Sequence, residues 1–158
     1  MDLLTTIFER QLKLQVSSYG GDPNDLPIED KIQYIRVMTL AAINELNEAV
    51  DETSWKTWVT DNYINRDAYV GELVDVLHFL VNLCLAVGVT PAELEALYQA
   101  KADKNKARME SGYDGVSTKC PLCKRALDDE AVRCGPIKFT DEFYCQEFHI
   151  DYRPVASA

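Results

Sequence analysis

The sequence predicts an all-α protein: an antiparallel four-helix bundle followed by a small, β-rich, zinc-binding appendage. Three observations predict it. Apolar residues recur at helical spacing through most of residues 2–111, and no stretch before residue 116 alternates convincingly at period two. Helix start and stop signals cut that region into four segments joined by short loops. After Gly115 the apolar runs shorten, and Cys120, Cys123, Cys134 and Cys145 appear within the last forty residues.

Each element has its own signal. Residues 2–18 read as a first helix, with Leu3, Leu4, Ile7, Phe8, Leu12 and Val16 near helical spacing. The segment SSYGGDPNDLP is rich in Gly, Pro, Asn and Asp and reads as a loop. Pro27 stands near the start of a second helix, with Glu29 and Asp30 in the first turn, where carboxylates suit the helix dipole. That helix should end near Val50 or Glu52. In TSWKTWVTDNYI aromatic and β-branched residues replace the helical rhythm, so this is a loop. Asn65 is placed to cap a third helix from about Arg66 to Val87, with Gly88 ending it. Thr90, Pro91, Glu93 and Glu95 start a fourth helix, which Gly112 to Gly115 break. In the tail, Ile137, Phe139, Phe143 and Tyr144 suit short strands. The domain boundary falls near residue 116, giving residues 1–115 and 116–158.

Composition excludes several classes. A chain of 158 residues builds one domain of ordinary size with a small appendage, and a hydrophobic content of 47% argues against wholesale disorder. With 16 Lys and Arg against 26 Asp and Glu, the net charge of −10 opposes general nucleic-acid binding. The opening MDLLTTIFERQLK has no basic segment followed by an apolar run, so no signal peptide is expected. The longest apolar stretch, Val74 to Val89, is interrupted by Asp75, His78 and Asn82, which argues against a membrane span. The expectation is a soluble cytoplasmic protein, in which clustered cysteines favour metal over disulfides. Cys84, alone in an apolar run, reads as a small buried thiol.

Two pairs of acids carry the chemistry: Glu45 with Glu48, and Glu72 with Asp75. Members three residues apart on a helix project from one face, and each pair sits among apolar residues, including Leu40, Ile43, Leu46 and Val50, then Val70, Leu73, Leu77 and Leu80. Four acids facing into a bundle repel one another and lose hydration unless cations sit among them. Hard divalent ions such as Mg²⁺ take oxygen ligands of this kind and handle phosphates. On the fourth helix Lys101, Asn105 and Arg108 share a face with Lys104 beside them, a stripe able to clamp a polyphosphate or simply to face solvent. Trp55, Lys56 and Trp58 lie between the acid pairs; aromatic faces stack on bases, and the alternative is that the tryptophans close one end of the core. His78, one turn beyond Asp75, either supports the site or packs in the core. Nothing suggests a covalent nucleophile.

This ordered set resembles the all-α nucleoside triphosphate pyrophosphohydrolases, which include MazG-type enzymes and dimeric dUTPases. The resemblance covers about residues 5–115 and leans to the dimeric dUTPase branch. It rests on Glu45, Glu48, Glu72 and Asp75, on the Trp55–Lys56–Trp58 segment, and on Lys101, Asn105 and Arg108 before Gly112 and Tyr113. Gln11 or Gln15 would supply that branch's first-helix glutamine, while Ala102 stands where an asparagine is usual. The resemblance implies attack of water on the α-phosphorus, releasing a monophosphate and pyrophosphate, with two Mg²⁺ per site (Mn²⁺ as a substitute) held by the four acids. It implies Glu48 as the residue orienting the water, Lys56, Lys101 and Arg108 on the phosphates, and Asn105 on sugar or base. It favours dUTP, with a purine triphosphate such as dGTP as the alternative, and a homo-oligomer, dimer or tetramer.

In the tail, Cys120-Pro-Leu-Cys123 is a zinc-knuckle start, because two thiolates on a tight turn reach one ion. Cys134 and Cys145 complete the set separately, or Cys145 does so with His149. A closed four-ligand site of this kind is structural. The rival from another class is a non-enzymatic helical interaction module with a zinc tail, which leaves the acids unexplained. A di-iron carboxylate bundle needs Glu-x-x-His motifs, which neither His78 nor His149 completes.

Overall fold

The computed structural model describes residues 2–116, 118–128, 132–138, 142–148 and 150–152. Its elements are α1 (Leu3–Ser18), α2 (Ile28–Asp51), α3 (Arg66–Ala86), α4 (Pro91–Glu110), β1 (Gly135–Pro136), β2 (Phe143–Cys145) and β3 (Ile150–Tyr152). The chain is therefore mostly helical with a small antiparallel sheet near its end, as the sequence predicts. It forms two compact units, Met1–Tyr98 and Gln99–Ala158, and α4 runs through the division.

In the first unit α2 and α1 both pack on α3. Asn82 meets Met38, Glu45 meets Glu72, and Asn65 meets Glu52, so α2 and α3 are antiparallel. Residues Thr5 to Leu12 of α1 lie by Leu85 and Gly88, whereas Gln15 lies by Asp75 and Phe79, so α1 also runs against α3. Consecutive helices α1 and α2 thus point the same way. A single turn of 3₁₀ helix, Pro23–Asp25, carries the connection back to the Gly88 end; the sequence reads this segment only as a loop.

Local signals explain the ends. Asp2 caps α1 by accepting the Thr5 N–H at 2.8 Å, and Thr90 Oγ1 accepts the Glu93 N–H at 3.2 Å at the start of α4. Gly88 at φ +71° ends α3: its N–H bonds Leu85 O and the Val89 N–H bonds Cys84 O, a left-handed cap that an L side chain would strain. Asn65 stands at the N-cap of α3 as expected, its carbonyl accepting the Tyr69 N–H at 2.9 Å, but its side chain does not bond the first turn. Its amide instead donates to Glu52 Oε2 at 2.7 Å, closing the 52–65 loop, where Thr53 also bridges Ile64.

The core of this unit is thin. Phe8, Ala42, Ala49, Val76, Val81 and Ala86 are buried, together with the polar Gln11, Gln15 and Asn82. The apolar stripes predicted to line it are open in the single chain: Leu40, Ile43, Leu46, Val50, Val70, Leu73, Leu77 and Leu80 are all exposed. By length and composition alone α3 is apolar enough to cross a membrane; here Glu72, Asp75, His78 and Asn82 interrupt it, and α1 and α2 pack against it. Cys84 is half-buried.

In the second unit β1, β2 and β3 pair in that order, with Gly135 opposite Tyr144 and Cys145 opposite Ile150. Phe139 and His149 lie outside the described residues.

Candidate functional site

α2 and α3 bring three of the four predicted acids together. Carboxylate oxygens of Glu45, Glu72 and Asp75 lie within 4.8 Å of one another. Desolvation raises the Glu45 pKa above its ordinary 4.5, followed by the charge of Glu48, a hydrogen bond with Glu72, and the charges of Asp75 and Glu72. Glu48, predicted as a fourth ligand, stands outside the cluster. It is exposed, and its Oε1 accepts a hydrogen bond from Asn44 Nδ2, one turn back on α2. The charge of Glu48 nonetheless reaches Glu45.

Below its raised pKa Glu45 carries a proton that competes with a cation for the carboxylate, so Mg²⁺ affinity is expected to rise with pH through the Glu45 titration. The sign follows from linkage. A raised carboxyl pKa stabilises the protonated, metal-free fold at low pH, and that stabilisation is lost as pH climbs through the raised value. Glu48→Gln removes one raising charge and should move the rise in Mg²⁺ affinity to lower pH. Calorimetric titrations across the pH range test this; coincident midpoints would show that Glu48 does not act on the cluster.

Asp75 also faces a cleft of about 590 Å³ whose lining includes Gln11, Gln15, Tyr34, Met38, His78, Phe79 and Asn82. Its polar residues form a chain. His78 Nδ1 and Gln11 Oε1 are 2.6 Å apart, Gln11 Nε2 donates to Asn82 Oδ1 at 2.8 Å, and Asn82 Nδ2 ends on the Met38 sulfur at 3.6 Å. The Tyr34 hydroxyl donates to Gln15 Oε1 at 3.3 Å. Both first-helix glutamines are thus buried and engaged, and His78 is tied into the cleft rather than packed in the core. In the sequence Asn82 stands out only as an interruption of an apolar run, and neither Tyr34 nor Met38 carries a signal of its own. The available signal was spacing: Asp75, His78 and Asn82 mark one edge of α3.

The tryptophans do not close the core. Trp55 is 52% exposed, with its Nε1 donating to Asp51 Oδ1 at 3.0 Å, and Trp58 is 75% exposed. Lys56 Nζ lies 5.6 Å from the Trp55 ring centre.

In the second unit Lys101 and Asn105 are exposed on α4, while Arg108 and Lys104 are engaged by the tail. Arg108 Nε donates to Asp128 Oδ2 at 2.7 Å, its Nη2 donates to Oδ1, and Lys104 Nζ donates to the Asp128 carbonyl at 2.8 Å. Where the sequence expects a phosphate on Arg108, the structure has a carboxylate. Those Arg108 hydrogen bonds hold Asp128 down to a pKa of about 2. Tyr113 lies under Arg108, its ring centre 5.3 Å from the guanidinium carbon.

The same unit gathers Cys120, Cys123, Cys134 and Cys145, with all four sulfurs within 4.8 Å of one another. None is in a disulfide, and Cys120 and Cys145 are fully buried. The Arg125 N–H favours the Cys123 thiolate, but desolvation and hydrogen bonds with the other three thiols outweigh it and push the pKa up to about 12. The sulfur-only donor set suits a soft or borderline ion and the oxygen-only set of Glu45, Glu72 and Asp75 suits a hard one, so the two clusters are chemically distinct.

No curated protein and no solved structure matches this chain. The model of the dUTPase family matches residues 4–91, more than half of the sequence. That span holds α2, α3 and all of α1 but Leu3, and with them the three clustered acids and the cleft lined by Gln11, His78 and Asn82. The chain therefore belongs to the dUTPase family, whose members are all-α proteins akin to the MazG type.

Proposed function

We propose that the protein is a Mg²⁺-dependent pyrophosphohydrolase of nucleoside triphosphates, with dUTP as its substrate. One observation carries the reading: Asp75 belongs both to the three-acid cluster and to the lining of the cleft. A nucleotide lying there puts its phosphates at the acids and its base among Gln11, His78 and Asn82. Family membership supports nucleotide hydrolysis in general.

Glu45, Glu72 and Asp75 would hold Mg²⁺, two ions per site by the family's pattern, and Mn²⁺ meets the same oxygen-ligand demand. Bound there, the ions supply Lewis-acid polarisation of the phosphate oxygens. Glu48, outside the cluster yet close enough to influence Glu45, orients the water that attacks the α-phosphorus and accepts its proton. The bond from the α-phosphorus to the bridging oxygen breaks, and pyrophosphate leaves. Lys56 is the cation for the outgoing phosphates, and Trp55 or Trp58 offers a stacking face.

Base choice is read from the amides. Asn82 Nδ2 ends on a thioether sulfur, a weak acceptor, so a base carbonyl oxygen would be the better partner. This favours uracil O4 or guanine O6 at that amide, since cytosine and adenine carry an amino group at the corresponding position. The exposed apolar faces of α2 and α3 support a homo-oligomer, since patches of this kind mark protein interfaces. The tail cysteines we assign to a structural Zn²⁺, separate from the Mg²⁺ site.

The test is a panel of the common dNTPs and NTPs plus dUTP, with pyrophosphate release followed with and without Mg²⁺. The expected result is Mg²⁺-dependent release, greatest with dUTP. Preference for dGTP would keep the chemistry and change the substrate. No release from any triphosphate with Mg²⁺ or Mn²⁺ would remove the enzyme reading in favour of an interaction module.

A further inference from the structure

The four cysteines and Asp128 belong to one continuous piece of structure. Cys120 and Cys123 sit on a tight turn in which the Lys124 N–H bonds Cys120 O at 2.9 Å and the Cys120 N–H bonds Arg125 O at 2.8 Å. Lys124 takes the left-handed conformation, φ +61°, that this turn needs. The second pair comes from the sheet: Cys134 precedes β1, Cys145 ends β2, and the Gln146 N–H points at the Cys134 sulfur at 3.2 Å. Cys123 and Cys134 sulfurs are 3.6 Å apart, far outside bonding distance for a disulfide. In a tetrahedral site with Zn–S of about 2.3 Å the sulfurs stand about 3.8 Å apart.

The same turn leads to Asp128. Lys119 bridges Ala126, and the Leu127 N–H bonds Thr118 O at 2.9 Å, so 118–127 is a small hairpin rooted at Cys120 and Cys123. Asp128 follows directly. Its carboxylate takes Arg108 in a two-bonded grip, and its backbone oxygen takes Lys104 one helical turn earlier. The Arg108 side chain is only 16% exposed and that of Asp128 is 42% exposed, so the guanidinium is sheltered while the carboxylate meets solvent, and it is the two-bonded geometry that sets this contact apart from an ordinary surface ion pair. The C-terminal end of α4 is closed nearby, with the Gly112 N–H on Met109 O and the Tyr113 N–H on Arg108 O.

We propose that Zn²⁺ on Cys120, Cys123, Cys134 and Cys145 fixes the 118–127 hairpin and so makes Asp128 the positioning residue that immobilises Lys104 and Arg108 of α4. The zinc module is thereby the clamp on the end of that helix, and loss of the metal releases two cations at once. This rests on the zinc assignment and is independent of the hydrolytic chemistry.

The experiment uses the full chain under reducing conditions, zinc-loaded, chelator-stripped and reloaded. Three quantities are read: zinc content, amide exchange at residues 108–113, and acylation of Lys104 by an amine reagent. The loaded protein should hold about one zinc per chain. Stripping should speed both exchange and Lys104 acylation about tenfold or more, reversibly on reloading. Asp128→Ala should keep its zinc and still show fast exchange at 108–113. Its Lys104 should stay protected, because the backbone oxygen at 128 remains held. A protein that binds no zinc removes the assignment on which the proposal stands. Zinc that binds and leaves without changing exchange or acylation overturns the clamp alone, as does Asp128→Ala with wild-type exchange. Loss of zinc from Asp128→Ala would also overturn it, by inverting the order of dependence.

Discussion

Glu72→Gln and Asp75→Asn should each lower Mg²⁺-dependent pyrophosphate release by more than about a hundredfold, since loss of even an outer-shell partner of a metal site costs about 10- to 100-fold. Each change keeps the size of the side chain and removes one of the three carboxylates that meet between α2 and α3. The neutral amide oxygen is a far weaker ligand for a hard cation. The helices should persist, because neither residue lies in the buried core and charge repulsion in the cluster falls. Glu72→Gln also removes a hydrogen-bonding and charged neighbour of Glu45, so the Glu45 titration should move down towards its ordinary value. Circular dichroism, Mg²⁺ titration and initial rates together decide the matter. Full turnover in either variant would take that acid out of the site. Loss of turnover with unchanged Mg²⁺ affinity would reassign it from metal holding to substrate contact.

Asn82→Ala should lower the ratio of kcat/KM for dUTP over dCTP by about tenfold or more, because the amide donor that suits uracil O4, where cytosine carries an amino group, is gone. A site built to hydrogen-bond one group discriminates through the group left unpaired when the wrong ligand enters. Some stability should be lost as well, about 1–3 kcal/mol, because Gln11 Nε2 loses its acceptor in a buried position. Denaturant melts run beside the kinetics separate the two effects. If the rate falls for every base and the ratio stays put, Asn82 braces Gln11 and does not read the base. Trp58→Ala is the useful contrast. Its ring is 75% exposed, so any change in base ranking there comes with little change in stability.

Much of the fold is legible because it is written locally. The four helices fall within a few residues of where Thr90, Gly88 and the breakers after Glu110 put them, since caps and left-handed stops depend on neighbouring residues alone. Paired acids at helical spacing are local in the same sense: residues three apart on α2 or α3 share a face whatever surrounds them. The cysteine grouping was legible from residue type and number, because few other roles gather four thiols in so short a stretch.

The rest needed tertiary structure, for one physical reason: spacing fixes which face a residue occupies, and only packing fixes what that face meets. Glu48 shares a helix with Glu45 and yet falls outside the acid cluster, beside Asn44. Asn65 carries the residue type of a cap and spends its amide on Glu52 instead. The apolar stripes of α2 and α3 look like core in the sequence and are open in the single chain, because α1 covers only part of α3. Gln11, His78 and Asn82 lie up to 71 residues apart and become one hydrogen-bonded chain only when α1 docks on α3. Arg108 shows the same limit. The sequence alone determined that it is a cation on the α4 stripe, and the fold decided that its partner is Asp128, because a long-range ion pair is set by where two elements come to rest.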